Sequence, residues 1–166
     1  MSRSVPCWPR AGTDPDPGVD ETGRAYAVMA FGPDAAAIAA RWCDRIAARG
    51  RPLWVRRSDR ASDEVLAALA EHLGTATVGW RLMLAGPEAD ALRAHAVALA
   101  GGALDAELTL LITGDEHRRV WCAHCGETTE ARTSPGDHLP CAGCGRTLVV
   151  HAHVSRPRAA YLGAIP

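Results

Sequence analysis

The chain lacks lysine: all 18 of its basic residues are arginine, a bias we attribute to codon usage rather than to chemistry. Aromatic residues are few, 5% of 166 residues, with a single Phe. The core must therefore be built mainly from Ala, Leu and Val, which bury less area per residue than aromatic rings. A metal staple or a partner subunit would compensate. Net charge is scarce too, formally -1 at pH 7, so no global field directs the chain to nucleic acid. No apolar run is long enough to span a bilayer, and the start, Met1 to Pro6, has no apolar core of a secretory signal. No internal repeat is visible. These features predict a cytoplasmic protein of one domain or two small ones. In that compartment paired cysteines mean metal rather than disulfide.

What the chain does have is a C-terminal stretch with two Cys-x-x-Cys-Gly pairs. Cys122 and Cys125 form the first, Cys141 and Cys144 the second, with residues 126–140 between them. Each pair can put two thiolates on one small cation, and the two together make a closed tetrahedral sulfur cage. Gly126 and Gly145 follow the pairs directly, where glycine lets the backbone turn tightly and aim amide N–H groups at the sulfurs. Arg119 to Trp121 leads in as a strand and Thr147 to Val150 leads out as one. That is the layout of a zinc ribbon. Zinc is favoured over iron because the loop between the pairs is short and polar and offers no aromatic shell for a redox centre. With four protein ligands the ion has no position for water or substrate, so its expected role is folding rather than catalysis.

The other candidates carry weaker signals. His124, inside the first knuckle, is expected to be exposed and off the metal. Cys43 is expected as a small buried residue on a helix. His117, His138, His151 and His153 lack the spacing of a second metal cluster.

Upstream, residues 1–24 are broken by Pro6, Pro9, Pro15, Pro17, Gly12, Gly18 and Gly23. This predicts a flexible N-terminal arm, disordered or docked on a partner, with Cys7 and Trp8 its only sticky residues. Residues 25–114 alternate strand and helix. Strands are expected at 25–30, 52–56, 80–85 and 107–112. Helices are expected at 33–49, with Ile38, Trp42 and Ile46 on one face, from the Ser62 cap to Leu73, and at 87–100 with Leu92, Ala96 and Leu99 inward. Such alternation implies an α/β fold, a small parallel sheet flanked by helices, followed by the ribbon at 115–157 and a tail at 158–166.

Trp121 to Gly163 resembles the small subunit of bacterial dimethylamine monooxygenase. The likeness rests on Trp121-Cys122-Ala123-His124-Cys125, Pro140 to Leu148, His153-Val154-Ser155-Arg156 and Ala160-Tyr161-Leu162-Gly163. It implies a heteromeric NADPH- and O2-dependent enzyme that demethylates dimethylamine to methylamine and formaldehyde. Flavin, an iron–sulfur cluster and haem would sit on the oxygenase and reductase subunits. This chain would be a noncatalytic subunit without catalytic residues or organic cofactor of its own, with Arg156, Arg158 and Tyr161 as interface contacts. Residues 25–112 are also similar to the nicotinamide-nucleotide domain of ferredoxin-reductase-type enzymes. Ala30-Phe31-Gly32-Pro33 stands in place of the phosphate loop, and Leu84-Ala85-Gly86-Pro87 in place of the turn near the nicotinamide. Pro33 removes an N–H donor and Asp34 adds negative charge where phosphate would lie, so the domain resembles a degenerate nucleotide fold used for docking.

Two other readings stay open: a rubredoxin-like electron carrier with iron in the cage, and a nucleic-acid-binding zinc ribbon. Against the second, Arg118, Arg119, Arg132 and Arg146 are interspersed with Asp115, Glu116, Glu127, Glu130 and Asp137, leaving no continuous basic face.

Overall fold

The computed structural model describes residues 7–166. The first half alternates β1 (Ala25–Phe31), α1 (Pro33–Ala48), β2 (Leu53–Ser58), α2 (Asp63–Leu73), β3 (Trp80–Pro87), α3 (Glu88–Ala100) and β4 (Leu108–Gly114). The four strands form one parallel sheet in the order β2-β1-β3-β4. Strand β1 is buried along all but its first residue, as an inner parallel strand covered on both faces must be. Helix α1 covers one face through Ala35, Ile38, Ala39, Trp42 and Ile46, packed on Val28, Ala30 and Met83. Helices α2 and α3 cover the other, with Val65, Leu69, Leu92 and Ala98 on Met29, Leu82 and Leu84. The Ser62 hydroxyl accepts from the Val65 N–H at 3.4 Å and starts α2 as expected.

The inward stripe of α3 differs from expectation. Ala91, Leu92, Ala94, His95 and Ala98 are buried, whereas Ala96 and Leu99 are half-buried. The helix is so rich in alanine that its apolar period fixes no phase.

The second half is a five-stranded sheet, β6-β5-β9-β8-β7, built from β5 (His117–Cys122), β6 (Thr128–Arg132), β7 (His138–Pro140), β8 (Thr147–Ser155) and β9 (Ala160–Ala164). Residues 158–166, expected as a tail, thus supply its middle strand. Strand β9 runs parallel to β5 and antiparallel to β8. Gly163 permits this insertion: a Cβ there would lie 2.7 Å from a Val120 methyl and 2.9 Å from a Leu148 methyl. Val120, Leu148, Val150 and Tyr161 belong to the same apolar cluster as the α2–α3 face of the first sheet, so one core runs through both halves.

The expected N-terminal arm falls partly outside the described residues. From residue 7 it is laid on the chain's own first half. Pro9 and Ala11 exchange backbone hydrogen bonds with Ile112 at 2.9 and 2.8 Å, extending the sheet beyond β4. Asp16 accepts from the Trp42 indole N–H at 2.9 Å, and Glu21 pairs with Arg45 and Arg49. Proline and glycine exclude regular structure here, but the acidic side chains still find arginines on α1. Cys7 is exposed, and Trp8 packs partly buried against the core.

Candidate metal centre

Two knuckles of the same construction bring the four cysteines together. In the first, the Cys122 N–H donates to the Glu127 carbonyl at 2.8 Å and the Gly126 N–H to the Cys122 carbonyl at 2.9 Å. In the second, Cys141 donates to Arg146 at 2.9 Å and Gly145 to Cys141 at 2.9 Å. Both turns need left-handed backbone, supplied by Gly126 (φ 81) and Gly145 (φ 70). The first knuckle closes the β5–β6 hairpin and the second joins β7 to β8, so opposite ends of the sheet converge on one point.

The four Sγ atoms all lie within 4.8 Å of one another. Cys122 and Cys144 are 4.0 Å apart, Cys125 and Cys141 3.6 Å. A tetrahedron with metal–sulfur bonds of about 2.3 Å sets its sulfurs about 3.8 Å apart, so this set could hold one metal ion. The electrostatics agree. The Cys144 and Gly143 N–H groups point at the Cys141 sulfur and hold its thiol down to about 6. At Cys125 the Glu127 N–H acts in the same sense but is outweighed by desolvation and by neighbouring sulfurs, which push the thiol up to about 12. Four thiols packed this closely cannot all ionise without a cation between them.

His124 is exposed, as expected, and Cys43 is half-buried on α1. Among the described residues the Cys122–Cys125–Cys141–Cys144 set is the one group of three or more such side chains placed to hold an ion; His117, His138, His151 and His153 do not gather into a second.

Where α3 meets the second sheet lies a second polar constellation, which sequence reasoning missed. Glu88, on the first turn of α3, is 1% exposed. The Tyr161 hydroxyl donates to its Oε1 at 2.6 Å. The Arg118 and Arg10 guanidiniums stand 3.6 Å from its two oxygens. Arg118 also donates to Asp115 at 2.9 Å and to the Thr133 carbonyl, and its guanidinium lies 5.4 Å from the centre of the Tyr161 ring. Burial, together with the acceptor Glu88, pushes the Tyr161 phenol up to about 12. The Arg118 guanidinium is held charged by Tyr161 and Glu88 against the opposing effect of burial. A second seam runs from His95 through Asp105 to Arg156: His95 Nε2 is 2.9 Å from one Asp105 oxygen, and Arg156 bonds the other.

The residues expected as interface contacts also have partners within the chain. Arg156 and Tyr161 bind within the chain, and Arg158 lies 4.2 Å over the Trp121 ring. They also bear on the likeness to a nucleotide domain. In the order β2-β1-β3-β4 the ligand crevice would open outside the carboxyl ends of β1 and β3. Here the carboxyl end of β3 runs straight into Glu88, covered by Tyr161 and Arg118. A cleft of about 590 Å³ remains between α2, α3 and the second sheet. Its charges are largely matched internally, Arg93 with Asp63 at 2.7 Å and Arg119 with Glu130 at 2.7 Å.

Residues 119–164 match the family described as dimethylamine monooxygenase subunit DmmA-like, C-terminal domain. The chain is also 42% identical over 95 residues to the heme-dependent oxidative N-demethylase delta subunit of Ectopseudomonas mendocina (strain ymp). That alignment covers 57% of this chain and 53% of the relative, so the chain spans about half the relative's length. No solved structure matches. The two findings support the resemblance carried by Trp121 to Gly163, that of a DmmA-like subunit. No helix among the described residues is long and apolar enough to cross a membrane.

Proposed function

We propose that this chain is a noncatalytic assembly subunit of a heteromeric oxidative N-demethylase. Its Cys122, Cys125, Cys141 and Cys144 would bind one structural zinc ion. The observation that carries the reading is the cluster of four thiols within 4.8 Å of one another, in a segment that matches the DmmA-like family. Four protein ligands leave no open position, so zinc here would supply folding energy rather than a reactive site. The similarity to a delta subunit favours the complex, and the DmmA-like description favours dimethylamine as substrate, demethylated to methylamine and formaldehyde. NADPH, flavin, iron–sulfur and haem chemistry would belong to the oxygenase and reductase subunits, in the cytoplasm. The first half would contribute a folded platform, with its nucleotide crevice given up to Glu88 and the second sheet.

Metal analysis with a visible spectrum tests the role of the cage. One zinc per chain and no colour agrees with the proposal. Iron with thiolate charge-transfer bands replaces it with electron transfer.

A further inference from the structure

Among the described residues strand β2 is a free edge of its sheet, and its charge pattern is unusual. Residues 51–60 carry four arginines, Arg51, Arg56, Arg57 and Arg60, against one acid, Asp59. All four arginines are exposed. None has a carboxylate within ion-pair distance among the described residues, although ten other arginines of the chain do. The side-chain partner of Arg57 is the Cys43 thiol. At the opposite edge of the same sheet β4 is covered by residues 9–11; among the described residues β2 pairs only with β1.

The hydrogen-bond phase of the edge is fixed. The Tyr26 N–H donates to the Pro52 carbonyl at 2.9 Å, and the Gly32 N–H to the Ser58 carbonyl at 2.9 Å. Even-numbered residues of β2 therefore address β1, and the N–H and C=O groups of Leu53, Val55 and Arg57 point outward. Apolar surface accompanies them. Val55 is 39% exposed, and Trp54 stacks on His72 with ring centres 4.5 Å apart. The lower half of the edge is thus apolar at Trp54 and Val55, and the upper half doubly basic at Arg56 and Arg57.

We propose that β2 accepts an extended acidic segment of a partner protein as a fifth strand. Two acidic residues would face Arg56 and Arg57 and two apolar ones would face Val55 and Trp54. Main-chain bonds to Leu53, Val55 and Arg57 supply affinity, and the charge pattern supplies selection. A second copy of the chain does not match this pattern, because β2 carries no acid to set against Arg56 and Arg57.

The test uses the full chain and two capped hexapeptides, Thr-Glu-Glu-Val-Ile-Thr and the same sequence with Lys for both Glu. Binding is followed by NMR, with hydrogen exchange read at single amides. The acidic peptide binds at least about tenfold tighter than the basic one and slows exchange at Leu53, Val55 and Arg57. Val55→Pro removes an outward N–H without touching the β1 ladder, and R56E/R57E reverses the charge. Each weakens the acidic peptide at least about tenfold, and R56E/R57E admits the basic one. The proposal fails if neither peptide binds, if binding leaves those three amides unprotected, or if R56E/R57E changes nothing. The arginines would then only guard the edge against self-pairing. It fails equally if the free chain is a dimer that Val55→Pro dissociates, which makes a second copy the occupant.

Discussion

The Tyr161 hydroxyl donates to Glu88 Oε1 at 2.6 Å, joining the middle strand of the second sheet to the first turn of α3 across 73 residues of chain. A carboxylate buried to 1% exposure is tolerated only with partners, so this bond and Arg118 hold the two halves together. Tyr161→Phe leaves one oxygen of Glu88 without its donor and should cost about 1–3 kcal/mol. Denaturant unfolding of Tyr161→Phe, Glu88→Gln and the double variant measures it. Non-additivity between the two is the expected result, since the groups act on each other.

The same phenol predicts an alkaline limit. Its pKa is raised in the folded chain to about 12 from an ordinary value near 10. The neutral phenol's contribution is therefore complete below about pH 10 and is lost as pH rises from there through about 12. The unfolding midpoint should fall over that window in the parent chain and fall less in Tyr161→Phe.

The arm makes an acid counterpart. The Thr22 hydroxyl and Arg81, whose Nε is 2.6 Å away, hold the Asp20 carboxyl down to about 2. A depressed carboxylate stabilises above its unfolded value, near 4, and that stability fades as pH falls toward about 2. Arg81→Met should raise the Asp20 midpoint toward the ordinary aspartate range, read by carboxyl-carbon NMR.

Much of this organisation is legible in the sequence; beyond the phase of the alanine-rich α3, the parts that are not depend on partners far along the chain. Ile38, Trp42 and Ile46 at spacing four, the Ser62 cap and the glycines after the cysteine pairs are local signals, and each stands where local physics puts it. Glu88, Arg118 and Asp105 look in sequence like ordinary surface charges. Their roles depend on partners 73, 43 and 51 residues away along the chain: Tyr161 for the buried Glu88, the Tyr161 ring for the buried Arg118 and Arg156 for the exposed Asp105. Strand β9 is hidden for the same reason: five residues without alternation become a strand only between β5 and β8.

That placement of β9 is itself testable. Gly163→Val puts methyl groups where Val120 and Leu148 already stand. Overpacking should cost about 1–3 kcal/mol or more, although position 163 supplies no metal ligand. Thermal unfolding of the metal-loaded chain gives the loss, with metal content as the control.

The most direct test of the central claim is the metal and cofactor content of whatever co-isolates with this chain when it is tagged and co-expressed with the proposed oxygenase and reductase subunits. The account predicts a complex carrying haem and flavin on the other chains and one zinc on this one. It also predicts that Cys141→Ser removes the zinc, unfolds the second sheet and detaches the chain. A tagged chain that comes away alone, or one that stays in a fully active complex after Cys141→Ser, would contradict it.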